Sequence, residues 1–181
     1  MTTLYLFPTS KEAEGLLSRR ADLKSQVGFV GVGMAEAAAS AARLIVEHRP
    51  RRVVLCGIAG ACDERLRVGE VVEVVSDSVA ELPARFALKY HSEPITRLPK
   101  VSSFTVSRTG ASLPLCGDDA LPSIEQMEGA AVAAVCEAFS VEYLHLRAIS
   151  NRVSDERKAW RTAEAIEALV RAVAEQYDKE K

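Results

Sequence analysis

Histidine, aromatic rings and a charge of one sign are all scarce in this chain of 181 residues. The formal net charge is only −2, so no global field draws the chain to nucleic acid or to an anionic membrane. The basic cluster Arg49, Arg51 and Arg52 reads as solvated surface. His48, His91 and His145 carry no recognisable partner pattern and read as structural or surface residues. The four cysteines, Cys56, Cys62, Cys116 and Cys136, show neither C-x-x-C spacing nor interleaved histidines, which excludes a zinc site of the usual kind. Cys56 and Cys136 sit in apolar runs and read as small buried hydrophobes. No apolar run approaches the length that spans a bilayer. The chain does not start with a basic stretch followed by a long apolar core, so no signal peptide is expected and the cytoplasm is the expected address. G-K-[ST] is missing, which excludes a P-loop, and there is no internal repeat or low-complexity tract.

What is present is an ordinary globular composition, 48% apolar and 27% charged, enough for one compact domain over residues 1–181. Thr3–Phe7 is β-prone, and Pro8 with Thr9-Ser10-Lys11-Glu12 signals the start of a helix reaching about Arg20. Residues 27–32 form a β-branched run that breaks at Gly31-Val32-Gly33. Residues 35–48 have helical spacing and end before Pro50. A strand at 53–56 is cut by Gly57-Ile58-Ala59-Gly60, and another follows at 71–75. From 80 to 100 the pattern weakens around three prolines and reads as an irregular excursion. Strand character returns at 101–106, a helix of small apolar residues is expected at 128–139, a strand at 141–146 and an amphipathic helix at 159–177. Strand, helix and strand joined by short connections predict a three-layer α/β/α sandwich around a central mixed, mainly parallel sheet.

Such sheets bind ligands at the carboxyl ends of their strands. Gly31, Gly33, Gly57, Gly60 and Ser150-Asn151 gather at those expected ends. Gly31-Val32-Gly33 opens like a dinucleotide fingerprint, but Glu36 stands where the third glycine belongs and no acidic residue closes the next strand.

Two longer elements are more specific. Gln126-Met127-Glu128-Gly129-Ala130-Ala131 runs on to Arg147-Ala148-Ile149-Ser150-Asn151, and Gly57-Ile58-Ala59-Gly60 precedes Leu66-Arg67-Val68-Gly69-Glu70-Val71-Val72. In this order they resemble the M-E-[GS]-A-A … R-[AS]-I-S-[DN] and G-x-A-G … L-x-x-G-D-V-V elements of the nucleoside phosphorylase/nucleosidase superfamily. Ile58 stands where some relatives have serine, and Glu70 where aspartate is usual. The resemblance covers most of the chain except 80–100. Within that superfamily it is nearest to the futalosine hydrolase family of menaquinone biosynthesis. Asn151 in place of aspartate, the tail from Asn151-Arg152-Val153 to Arg157 and Trp160, and Thr105-Val106-Ser107-Arg108-Thr109-Gly110 carry that part.

The resemblance implies hydrolysis of a purine N-glycosidic bond, with no cofactor and no metal, by a homo-oligomer. It implies that Glu128 accepts hydrogen bonds from the ribose hydroxyls, with Met127 packed on the sugar. Asn151 would bond a 6-oxopurine base, and Glu12, with Glu14 as the alternative register, would orient the attacking water. Thr9 and Glu12 also form a capping box, which alone stabilises a helix by about 1 kcal/mol. Gly31, Gly33, Ala59 and Gly60 would line the ribose and water side. Related phosphorylases carry an arginine where this chain has Leu55, which favours water over phosphate unless Arg67 or Arg147 substitutes. Trp160 and Arg157 would shape the pocket, with the arginine meeting a substrate carboxylate, while Trp160 packed in the last helix is the alternative. Phe104 is a candidate for stacking on the base. The rival readings are a nucleosidase or phosphorylase for methylthioadenosine or inosine, and a catalytically silent nucleoside-binding protein.

Overall fold

The computed structural model of this chain describes residues 2–83, 85–86, 89–115 and 120–179; Cys116 lies outside them. Among these residues are eight strands and four longer helices, and two of the strands, at 89–91 and 123–126, are additions to the expected order. In chain order they are β1 (Thr3–Phe7), α1 (Ser10–Arg19), β2 (Val27–Phe29), α2 (Met34–His48), β3 (Arg52–Ala61) and β4 (Val71–Val79). Then come β5 (Lys89–His91), β6 (Lys100–Thr105), β7 (Ser123–Gln126), α3 (Gly129–Ala138), β8 (Glu142–Arg152) and α4 (Thr162–Lys179).

The sheet is mixed and mainly parallel. β1 pairs in parallel with β2 and β3, β3 with β8, β4 with β6 and β6 with β7. The antiparallel pairs are β3 with β7, β4 with β8 and β4 with β5. Following these pairs, β3, β8, β4, β6 and β7 return to β3, so this part of the sheet closes into a small barrel and removes its own edges. Side chains from all five strands, among them Ala59, Val72, Val101, Ile124 and Ile149, form one buried cluster. The even positions of β8 (Leu144, Leu146, Ala148) pack with α1 and α4, while Leu4, Leu55 and Val53 pack with α2 and α3 on the opposite face. This is the expected three-layer arrangement.

Three expectations need correction. β3 does not stop at Gly57 but continues to Ala61. A Cβ on Gly57 would collide with Arg147 Nη1 and lie 3.1 Å from its Cζ, so glycine here lets a strand pass beneath a large side chain. β8 likewise runs past the expected end at 146, through Ser150 and Asn151 to Arg152. The last helix starts at Thr162, after a single 3₁₀ turn at Arg157–Ala159, which leaves Trp160 ahead of it. The excursion from 80 to 100 holds the short strand β5 and is tied down by Glu73. That buried carboxylate accepts from Ile95 N (2.7 Å), Thr96 N (2.8 Å) and Thr96 Oγ1 (2.5 Å), and pairs with Lys100 at 3.0 Å.

Candidate active site

A cavity of about 380 Å³ opens where β1 turns into α1, where β7 turns into α3, and over the last residues of β3 and β8. Glu12, Met127, Glu128, Ala59, Gly60, Arg147, Asn151 and Trp160 all border it, so most residues singled out from the sequence converge. A second cavity of about 460 Å³ lies between β4, β5 and α3, but none of those residues borders it.

The helix start signalled by Pro8-Thr9 brings Glu12 to the cavity in the first turn of α1. Glu12 is 6% exposed and borders the cavity, whereas Glu14 faces solvent. Glu12 Oε2 accepts from Thr9 N (3.1 Å) and Thr9 Oγ1 (2.6 Å), and Oε1 accepts from Ile58 N at 3.2 Å. Burial raises its pKa above the ordinary value of 4.5; the Thr9 hydroxyl, the Arg147 charge and the Ile58 N–H oppose the rise, and Glu128 adds to it.

Glu128 is the residue before α3, 3% exposed. Its Oε1 accepts from Gly33 N and its Oε2 from Arg147 Nη2, both at 3.1 Å. Arg147, 1% exposed, spreads its guanidinium over acceptors from three strands and Glu128. Nε donates to His145 Nε2 at 2.7 Å, Nη1 to Ile58 O at 3.1 Å, and Nη2 also to Gln126 Oε1 at 3.1 Å. Ile58 therefore links the two carboxylates: its N–H meets Glu12 while its carbonyl meets the arginine that meets Glu128.

Asn151 is 4% exposed. Its Oδ1 accepts from Ser150 Oγ (2.7 Å) and its Nδ2 donates to Arg152 O (2.7 Å). A main-chain carbonyl can only accept, so the amide orientation is fixed, and one N–H and one lone pair stay available to a ligand. Arg157 lies over the Trp160 ring at 5.2 Å, and the indole N–H donates to Asp155 O at 3.3 Å. Val106 and Thr109 from the loop after β6 also reach the cavity, and Glu125 beside them accepts from Gly110 N (2.7 Å) and Ser112 Oγ (2.6 Å).

Other placements differ from expectation. Gly31 is not among the lining residues; its φ of +79° turns the chain away, and a Cβ would meet Glu36 Cβ at 2.9 Å. Gly33 acts through its N–H on Glu128, and it is Val32, 54% exposed, that borders the cavity. Phe104 and Arg67 lie outside the lining, and Leu55 is buried in the core.

The family model of the phosphorylase superfamily matches residues 25–110 of this chain. The futalosine hydrolase of Thermus thermophilus is 31% identical over 179 residues, 81% of this chain and 80% of that protein. The chain belongs to the phosphorylase superfamily. A 5'-methylthioadenosine/S-adenosylhomocysteine nucleosidase of Staphylococcus aureus is also similar, 28% identical across 77% of this chain and 78% of the relative. Among solved structures, a futalosine hydrolase of Helicobacter pylori superposes with a TM-score of 0.83 at 15% identity, covering 98% of both chains. The 5'-methylthioadenosine/S-adenosylhomocysteine nucleosidase of the same organism, with butyl-thio-DADMe-Immucillin-A, reaches 0.85 at 14% identity and 99% coverage of both. At those identities the superpositions establish the superfamily's fold.

Beside the cavity lies a polar cluster whose members carry no site role in the sequence-based expectations. Gln126 Oε1 accepts from Glu128 N (2.8 Å) and Gly129 N (2.6 Å), and its Nε2 donates to Thr105 Oγ1 (2.7 Å) and Asp77 Oδ2 (3.0 Å). Asp77 is pushed up to about 7 by burial, opposed by the Thr105 hydroxyl and the Arg147 charge. His145, read as structural or surface, is fully buried, and burial with the nearby Arg147 charge drives its pKa well below the usual value. The available signal was the strand period: Tyr143, His145 and Arg147 share one face of β8. Burial raises the Cys136 thiol to about 12 and the Cys56 thiol further still, so neither is a nucleophile.

Proposed function

We propose that this chain hydrolyses the N-glycosidic bond of futalosine, releasing hypoxanthine and dehypoxanthine futalosine in menaquinone biosynthesis. One observation carries the reading: Glu12 and Glu128 face one cavity as two buried carboxylates, joined through Ile58 and Arg147. Breaking an N-ribosyl bond builds positive charge on the sugar and negative charge on the departing base. Carboxylates beside the sugar and hydrogen-bond donors at the base stabilise that distribution. Glu12, with its pKa raised, is suited to take a proton from the attacking water as the general base. Glu128 accepts from the ribose hydroxyls, and Met127 packs on the sugar. Asn151 uses its free amide hydrogen on the oxygen or ring nitrogen of a 6-oxopurine. Arg157, exposed at the rim beside Trp160, meets the carboxylate of the extended substrate.

Water is favoured over phosphate because Leu55 is buried, Arg67 stands outside the cavity, and Arg147 is committed to Glu128, Gln126, His145 and Ile58. The similarity to methylthioadenosine nucleosidases supports a second reading with that substrate. Asn151 and the position of Phe104 outside the lining speak against it. Among the described residues no helix is long and apolar enough to cross a membrane. A cytoplasmic homo-oligomer is part of the proposal, with the half-exposed apolar rim at Val32 as the surface a second subunit would cover.

The deciding assay supplies futalosine, methylthioadenosine and inosine to the purified protein with and without phosphate. Phosphate-independent hypoxanthine release from futalosine alone is expected. Release from methylthioadenosine instead would move the assignment to the second reading, and binding without release from any of the three would make the chain a nucleoside-binding protein.

A further inference from the structure

Arginine keeps its charge in proteins, so its Nε always carries hydrogen and always donates. In this protein that donor points at His145 Nε2, 2.7 Å away, inside a site where both side chains are almost fully buried. The imidazole must therefore present a bare lone pair at Nε2, and a neutral ring then carries its hydrogen on Nδ1. Nδ1 has no hydrogen-bond partner among the described residues, and Asp77 Oδ2 lies 3.9 Å from it. With a neutral ring that approach is not an ion pair. The ring cannot drift: a Cβ on Gly129 would fall 2.6 Å from its Cε1, so the first residue of α3 closes directly over its edge.

Consider what the histidine does for the arginine. Ile58 O and Gln126 Oε1 hold the two Nη atoms, and His145 holds the third corner, so the guanidinium plane has no remaining freedom to rotate. The same Nη2 that meets Gln126 meets Glu128 Oε2, and the other Glu128 oxygen accepts from Gly33 N. Fixing the arginine thus fixes one carboxylate oxygen of Glu128. We infer that His145, as its Nδ1–H tautomer, is a positioning residue that clamps Arg147 and through it sets the carboxylate of Glu128. The inference rests on the site assignment above but touches no substrate atom. Its signal is the H-x-R pair of β8, two residues apart on one strand face.

Two measurements test it. Long-range 1H–15N correlation spectra of the imidazole rings should give one of the three histidines as a neutral Nδ1–H tautomer that does not titrate between about pH 5 and 8. That signal should vanish in His145→Gln. An Nε2–H or imidazolium form for His145 overturns the clamp, and this readout needs no turnover. If the wild-type protein cleaves no nucleoside, the proposed function falls while the spectra still decide the clamp.

The second measurement is kcat/KM on whichever nucleoside the wild type cleaves. His145→Leu removes the acceptor and should lower it by about 100-fold, the scale of a misplaced catalytic group. His145→Gln, whose amide oxygen reaches the same place, should restore it to within about threefold. In a Glu128→Gln background, followed in single turnover, His145→Leu should add less than about twofold, because the pair acts as one unit. Full activity in a folded His145→Leu protein, or equal and additive losses in all backgrounds, overturns the inference.

Discussion

At the scale of single residues, the two carboxylates of the cavity answer to different experiments. Among the described residues Glu128 accepts from Gly33 N and from Arg147 Nη2, and the other acceptors of Arg147 do not depend on it. Glu128→Ala should abolish cleavage, by at least about 1,000-fold in kcat/KM, in a chain that still folds; leaving the Arg147 charge buried without its carboxylate should cost about 3–5 kcal/mol, read in thermal unfolding. Near-normal turnover would remove Glu128 from the mechanism. Glu12 must be ionised to take a proton from water. Because burial lifts its pKa above 4.5, kcat/KM should fall tenfold per pH unit on an acid limb that sits above the ordinary carboxylate range. Asp77, at about 7, titrates nearby and is the competing assignment. The limb should persist in Asp77→Asn and disappear, with most of the activity, in Glu12→Gln. A limb that moves with Asp77 instead would reassign it.

At the scale of elements, glycines read as breaks turn out to be passages. Gly57-Ile58-Ala59-Gly60 has the composition of a loop, yet β3 continues through it because side chains of the neighbouring strand cross there. Gly57→Ala should thus displace Arg147, cost about 1–3 kcal/mol of stability as an overpacked core does, and lower activity together with it. An alanine variant with wild-type melting temperature and activity would show that the arginine has room elsewhere. The same case explains what the sequence made legible. β1, α1, α2, β4, β6 and α3 follow from β-branched runs and helical spacing, because their burial is one-sided or continuous. β5, three residues on the sheet edge, and β7, whose four residues include buried Glu125 and Gln126, leave no hydrophobic period to read. Glu12, Glu128, Arg147 and Asn151 were legible through their motifs. Gln126, Asp77 and His145 were not, since their meaning comes from partners such as Thr105 and Arg147 that only the closed barrel brings together.

At the scale of the whole molecule, closing β3, β8, β4, β6 and β7 on themselves places two titratable groups with opposite shifts side by side in the interior. Their effects on folding oppose each other. Asp77 keeps its proton in the folded state up to about 7, whereas the unfolded chain releases it near 3.8. Between those values the folded state binds more protons, so this contribution is fully present below 3.8, shrinks as pH rises and is gone above 7. His145 behaves in the reverse sense. Its folded pKa lies well below 6.5, so the unfolded chain binds the extra proton as pH falls below 6.5, and that contribution is present above 6.5 and lost on acidification. Below 6.5 and above 3.8, wherever the folded and unfolded protonation of both groups differ, the two slopes, each at most about 1.4 kcal/mol per pH unit, oppose each other in the wild type. Removing one should unmask the other. In denaturant titrations stepped through this range, Asp77→Asn should gain stability with rising pH and His145→Gln should lose it, while the double variant returns to a flatter profile. Glu12, raised in the same direction as Asp77, adds a slope of its sign that is shared by every variant. Parallel profiles in both single variants would mean that the pair does not titrate as two opposed groups and that the barrel interior is wetter than its burial implies.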